Sequence, residues 1–199
     1  MKQVGLAMAA VVAMATVSVW AGQGATAKPA ARGAVAAPAQ PKKSPGAGPI
    51  VVVETTKGTF QFETYPNEAP KSVEHILGLV KRNFYNGMRV HRQIPGFIMQ
   101  FGDPFSRDMS KKDLWGTGGS FNIVGVGEPN PKRKHVLGAV ALAYPGRDPR
   151  QADSQIYVTL APTPKLDGDY TVIGQVIAGM DVVQKLVVPD VIRRVTVKE

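Results

Sequence analysis

The chain contains no cysteine. That absence removes disulfide staples, a thiol nucleophile and a thiolate-ligated metal at once. It names no compartment, although it suits an oxidising one, where a spare thiol is a liability. Histidine is scarce too: His75, His91 and His135 are too scattered to suggest a metal site. There is no Gly-x-Ser-x-Gly elbow, phosphate-binding loop or His-Glu-x-x-His pair, so the usual hydrolase, nucleotide and zinc-protease chemistries lack their residues. Acidic residues are missing from the first 49 positions, which carry Lys2, Lys28, Arg32, Lys42 and Lys43. More than half of the +9 net charge therefore lies there, leaving 19 basic and 15 acidic side chains in residues 50–199. The one dense basic run of that region, Lys132-Arg133-Lys134, sits in the turn-like EPNPKRKH without aromatic or glycine-rich neighbours. It reads as a solvated loop, and no nucleic-acid partner is expected.

What is present divides the 199 residues into three parts. Residues 1–27 read as a secretion signal, with Lys2 at the start, an uncharged Val4–Trp20 stretch and a small-x-small Ala25-Thr26-Ala27 site. An uncleaved membrane anchor is the competing reading, since Val4–Gly22 has about the length that spans a bilayer. Its richness in Ala and Gly and poverty in Leu and Ile favour cleavage. No later segment is long and apolar enough to cross a membrane. Residues 28–49 hold five prolines, seven alanines and three glycines and read as a linker. The expectation is an exported, periplasmic or otherwise extracytoplasmic protein with a folded domain at 50–199, off the membrane after cleavage, and monomeric.

Within that domain the pattern is mainly β. IVVVETT (50–56) and GTFQFET (58–64) flank Lys57-Gly58 and predict an antiparallel hairpin. Pro66–Pro70 opens a helix whose apolar stripe is Val73, Ile76, Leu77 and Val80. After Asn86-Gly87 come strands near 88–94, 97–102, 136–143, 156–161 and 171–177. A second helix fits Gly179–Val187, with Val182, Val183 and Leu186 inward and Pro189 as its stop, before a last strand VIRRVTV. Many short strands with one early and one late helix argue for a closed or nearly closed barrel whose ends the helices cover. His75 on the first helix reads as a surface residue, and His91 as a hydrogen-bonded structural histidine rather than a catalytic base.

One stretch is more specific. FYNGMRVHRQIPGFIMQFGD (84–103) resembles the signature of cyclophilins, peptidyl-prolyl cis/trans isomerases, over twenty positions at fixed spacing. WGTGGS (115–120), GAVALAY (138–144), DSQIYVTL (153–160) and LDGDYTVIGQVIAGMDVV (166–183) resemble further blocks of that family in the same order. The resemblance implies a closed, eight-stranded antiparallel β-barrel capped by two α-helices. It also implies rotation about Xaa-Pro bonds of proline-containing polypeptides with no metal or cofactor, and assistance to the folding of exported proteins. By resemblance Arg92 is the catalytic arginine. Phe97 and Ile98 belong to the proline pocket, Gln100 touches substrate, and Ala143, Tyr144, Gln155, Tyr157, Leu166 and Tyr170 line the groove. A plain two-residue hairpin register would set Met99 opposite Arg92, whereas the resemblance needs Gln100, which implies a longer or bulged turn.

Some positions depart from the family. Tyr144 stands for asparagine, Tyr157 for phenylalanine (adding a hydroxyl at the pocket edge) and Tyr170 for histidine. Two extra residues lie between Ala143 and Gln155. Phe101 stands for a glycine and is expected to crowd its strand. Lys165 replaces the tryptophan associated with cyclosporin binding, so weak cyclosporin affinity is expected. A proline-segment-binding chaperone of the same fold with little catalysis, and a membrane-tethered protein working through its basic tail, are the alternatives.

Overall fold

The computed structural model describes residues 48–198; the expected secretion signal and the linker up to residue 47 lie outside the described residues. The order along the chain is β1 (Ile50–Thr55), β2 (Gly58–Thr64), α1 (Pro70–Lys81), β3 (Arg92–Ile94), β4 (Ile98–Phe101), β5 (Ala139–Leu142), β6 (Ile156–Thr159), β7 (Val172–Ala178), α2 (Met180–Lys185) and β8 (Ile192–Lys198), with short 3₁₀ turns in the long connections. All pairings are antiparallel, in the sheet order β3-β4-β6-β5-β7-β2-β1-β8. The mainly β, eight-stranded architecture is the expected one.

Closure differs from expectation. β3 and β8 are the two edges, and no ladder joins them. Residues 88–91 of the expected 88–94 strand turn instead to the start of β8. An isolated bridge pairs Arg89 with Val191, the Val90 N–H donates to the Asp190 carbonyl (2.9 Å), and the Ile192 N–H donates to Met88 (2.7 Å). The three residues left to β3 pair with β4 alone among the described strands, so the sheet is a curled half-barrel.

Alternation along the strands separates two apolar regions. Val51 and Val53, Phe60 and Phe62, Met99 and Phe101, Val140 and Leu142, and Ile156 and Val158 form the interior with both helices. Ile98, Ala139, Ala141, Tyr157 and Val172, on the opposite face of their strands, form a second cluster with Tyr65. Burying each large side chain is worth about 1.5–3 kcal/mol. Phe101 is not crowded out: it is 1% exposed and meets Tyr85 edge-on at 5.9 Å.

The helices pack on this interior with adjusted faces. α1 buries Val73, Ile76 and Val80 as expected, with Leu79 taking the fully buried place expected of Leu77, which is half-buried. Pro70 suits the first helical turn because its missing N–H needs no partner there. Ala69 offers no side-chain cap; the Glu128 carboxylate accepts from the Lys71 and Ser72 N–H groups instead (3.1 and 2.8 Å). A negative charge at a helix start also complements its dipole. α2 is shorter than 179–187, because Gly179 is left-handed (φ 75°) and Leu186 is already extended, though fully buried. Val182 is only half-buried.

Candidate active site

The β3–β4 hairpin sets the site. Its connection is three residues, Pro95-Gly96-Phe97, closed by the Phe97 N–H on the Ile94 carbonyl (3.0 Å). The ladder therefore pairs Arg92 with Gln100 and Gln93 with Met99. The longer turn required for Gln100 to face Arg92 is present. Met99 falls on the interior face, fully buried, while Ile98 and Gln100 look outward.

On that outer face lies a groove of about 890 Å³. All ten residues singled out in the sequence line it: Arg92, Phe97, Ile98, Gln100, Ala143, Tyr144, Gln155, Tyr157, Leu166 and Tyr170. Phe97 and Ile98 belong to the outer apolar cluster with Tyr157, Leu166, Ala143 and Tyr170, which gives a dry floor. The Lys165 ammonium, outside the groove lining, sits 4.3 Å over the Phe97 ring and pins it by a cation–π contact.

The polar side is a chain of amides. The Gln155 side-chain nitrogen donates to the carbonyls of Gly116 (2.9 Å) and Gly118 (2.8 Å). Its oxygen is then free to accept from the Gln100 amide nitrogen at 2.8 Å. The Gln100 oxygen in turn faces Arg92 Nη1 at 3.4 Å. Each amide orientation fixes the next, because an amide has distinct donor and acceptor ends. Among the described residues Arg92 forms no salt bridge, so its charge is not cancelled by an acid.

The glycine loop is held by two carboxylates that sequence reasoning did not single out. Buried Asp103 accepts from the N–H groups of Phe105 (2.7 Å), Gly116 and Gly118 (3.2 Å). Asp153 accepts from Ser120 and from the Phe121 N–H (3.1 Å), and meets His75 Nε2 at 3.3 Å. A Cβ on Gly118 would lie 2.4 Å from Asp103, and one on Gly119 2.3 Å from Asp153, so both positions exclude larger residues. Burial opposes the Asp153 charge, yet the bonds from His75 and Ser120 outweigh it and hold its pKa below the ordinary value. The loop leaves Phe121 left-handed (φ 64°) and 92% exposed at the groove rim, where Trp115, Ile123 and Gln151 also contribute. The Gly-Thr-Gly-Gly run at 116–119 marks the loop in the sequence, but Asp103 lies before it and Asp153 well after it, so no local pattern pairs them with it.

Three readings are corrected. His75 is not a surface residue: its side chain is 10% exposed because Asp153, 78 positions away, folds onto it. His91 lines the groove, but among the described residues neither ring nitrogen has a hydrogen-bond partner. The polar groups around it are already committed, Gln155 to the glycine-loop carbonyls and Asp103 to the loop amides. Burial lowers the His91 pKa, with the nearby Asp103 charge opposing the shift. The Tyr157 hydroxyl is not at the pocket edge but turned inward to His135 Nε2 (2.9 Å), the residue being 3% exposed.

The opposite wall is aromatic. Tyr144 stacks on Tyr170 (4.7 Å, 28°) and its hydroxyl donates to the Asp169 carbonyl. Tyr170 meets Tyr157 edge-on at 5.8 Å. Burial, then the neighbouring Tyr170 and Asp169, push the Tyr144 pKa up to about 12.

The site is thus an outward groove on a curled antiparallel half-barrel, with an arginine that forms no salt bridge among the described residues beside an apolar floor. The family described as cyclophilin type peptidyl-prolyl cis-trans isomerase/CLD matches residues 50–198, and the chain belongs to it. The chain is 40% identical over 136 residues to peptidyl-prolyl cis-trans isomerase-like 1 of Aspergillus fumigatus, covering 68% of this chain and 80% of that protein. It is 34% identical over 148 residues to a peptidyl-prolyl cis-trans isomerase of Arabidopsis thaliana, covering 74% and 84%. A cyclophilin type isomerase of Cryptosporidium parvum has the same fold, with a TM-score of 0.66 at 23% identity over 76% of this chain and 98% of that one. The protein is thus a peptidyl-prolyl cis/trans isomerase whose substrates are proline-containing peptides.

Proposed function

We propose that this enzyme accelerates folding of exported proteins and that Arg92 is its catalytic residue. Rotation about an Xaa-Pro bond is opposed by amide resonance, a barrier of about 18–20 kcal/mol. Nothing is cleaved or transferred, so the site needs only to bind the twisted amide better than either planar isomer. Twisting removes conjugation and makes the proline nitrogen more basic. A guanidinium, permanently charged and with N–H groups in a fixed fork, stabilises that nitrogen selectively. The observation that carries the reading is Arg92, free of any acid among the described residues and steadied by Gln100, next to the apolar floor of Phe97, Ile98 and Tyr157. The test is proline isomerisation by wild type and Arg92→Ala. The expected loss in kcat/KM is on the order of 10²–10³; equal rates would remove Arg92 from the mechanism.

The assignment to exported clients rests on the residue 1–27 pattern. Uncatalysed isomerisation takes about 10–100 s, slow enough to limit folding outside the cytoplasm. A mature protein whose N-terminal sequence begins at Lys28 supports export and release from the membrane, and an intact Met1 opposes it. Monomeric behaviour and weak cyclosporin binding, the latter from Lys165, belong to the same reading; light scattering and titration check them.

A further inference from the structure

Behind the aromatic wall three polar side chains form a line, with His135 and Tyr157 buried and Asp167 half-buried at its outer end. Asp167 Oδ1 lies 3.0 Å from His135 Nδ1 and also accepts the His135 backbone N–H at 2.8 Å. On the far side of the ring, His135 Nε2 lies 2.9 Å from the Tyr157 hydroxyl. The His135 side chain is wholly buried, and its ring is nearly parallel to that of Tyr157 (12°, 5.9 Å). An ionised carboxylate only accepts, so Nδ1 carries the imidazole proton. Nε2 of the neutral ring then accepts from the tyrosine. The groups facing this ring are Asp167, which also pairs with Lys134 (3.5 Å), and Tyr157, with Tyr170 behind it.

The line connects two parts of the groove. Tyr157 is on β6 and forms floor; Asp167 belongs to the loop that carries Leu166 and Tyr170. That loop is also tied by local backbone bonds, Leu166 to Thr163 and Tyr170 to Leu166 (3.1 and 3.4 Å), by the Tyr144 hydroxyl on the Asp169 carbonyl and by Lys134 on Asp167 (3.5 Å). The imidazole is the hydrogen-bonded link between the Tyr157 hydroxyl on β6 and this loop.

We propose that His135 is a positioning residue of the proline pocket, which as the neutral Nδ1–H tautomer locks Tyr157 to the 164–170 loop and on protonation weakens that lock. The proposal rests on the reading of Tyr157 as part of the proline pocket. In the imidazolium both nitrogens donate, so the Tyr157 hydroxyl must reverse to accept. Its own proton then has no hydrogen-bond partner to replace His135 among the described residues, a penalty of the kind that disfavours a buried unpaired donor. Burial lowers the His135 pKa although Asp167 opposes the shift, which places the uncoupling on the acid side of an ordinary histidine.

The test combines histidine ¹⁵N NMR on the wild-type protein with kcat and KM profiles for a proline tetrapeptide between about pH 5 and 8. At neutral pH the expected His135 signal has Nδ1 protonated; an Nε2–H tautomer overturns the proposal. Wild-type KM is expected to rise severalfold on the acid side with kcat little changed. His135→Gln keeps a donor for Asp167 and an acceptor for Tyr157 without a titrating group, and is expected to lose that acid limb while retaining KM at neutral pH. Tyr157→Phe, which has no hydroxyl to strand, is expected to raise KM at neutral pH and also to lose the limb, even if the glutamine variant does not fold. An acid limb of wild-type size in either variant assigns it elsewhere, with His91 the next candidate, and overturns the proposal; so does a wild-type profile without a limb. Loss of the Arg92 effect would strike the catalytic reading alone, because the tautomer is read without turnover.

Discussion

The two walls of the groove are made by different physics. On the Arg92 side, position comes from directional hydrogen bonds: a ladder register, a run of side-chain amides, and carboxylates gripping the N–H groups of a glycine loop. On the tyrosine side, position comes from side chains leaning on one another, with ring stacks and hydroxyls tied to Asp169 and His135. The first arrangement tolerates little change at its glycines and amides. The second depends on each ring finding a partner, as Tyr144 and Tyr170 do in each other and in Tyr157.

Substitutions can test that contrast. Among the residues that support Arg92 the largest effect is expected from Gly118→Ala, whose methyl would meet Asp103 and the Phe105 ring (2.4 and 3.0 Å). The loop must leave its carboxylate, and kcat/KM is expected to fall by about 10²-fold, since small misplacements near a reacting centre cost that much. Stability should drop by about 2 kcal/mol as buried Asp103 loses partners; thermal melts and the isomerase assay read both. An activity near wild type would show that the loop is not a rigid support.

Gln155→Leu should cost less, about tenfold in kcat/KM, because Gln100 loses its acceptor while the ladder stays intact. Tyr144→Asn should cost less again. It removes one stacked pair and one hydroxyl bond, about 1 kcal/mol of stability, with kcat/KM changed less than about threefold. If the asparagine variant lost more activity than the leucine variant, the aromatic wall would be the rigid one.

The smallest effect concerns pH. Asp153 has its folded pKa depressed, so its contribution to stability is present above the unfolded carboxylate value and is lost as pH falls through the folded one. Asp153→Asn is expected to flatten the acid limb of thermal stability and leave the neutral midpoint slightly lower. An unchanged acid limb would remove Asp153 as a charged anchor.

Much of this was legible in the chain. The hairpin Ile50–Thr64, both helices and the strand positions follow from alternation and turn residues, and all ten named groove residues do line one groove. Contacts made across long sequence separations were not legible. His75 meets Asp153, Glu128 caps α1, and His135 reaches Asp167 because the sheet brings distant loops together. No local pattern reports such a partner. The closed barrel failed for a related reason: residues 88–91 read as strand, but their partner is the start of β8 rather than a full ladder. The inward Tyr157 hydroxyl was missed because periodicity gives a face, not the group waiting behind it.

The three-residue turn at Pro95-Gly96-Phe97 also limits how this chain can vary in length. Side chains on β4 alternate between the groove and the interior, so Ile98 and Gln100 serve one and Met99 and Phe101 the other. Deleting one residue while the turn keeps its three-residue form would set Phe101 across from Arg92 and send Gln100 towards the hydrocarbon interior. Inserting two under the same condition would keep the parity. For as long as the turn keeps that form, length changes at this hairpin should be tolerated in even steps and refused in odd ones.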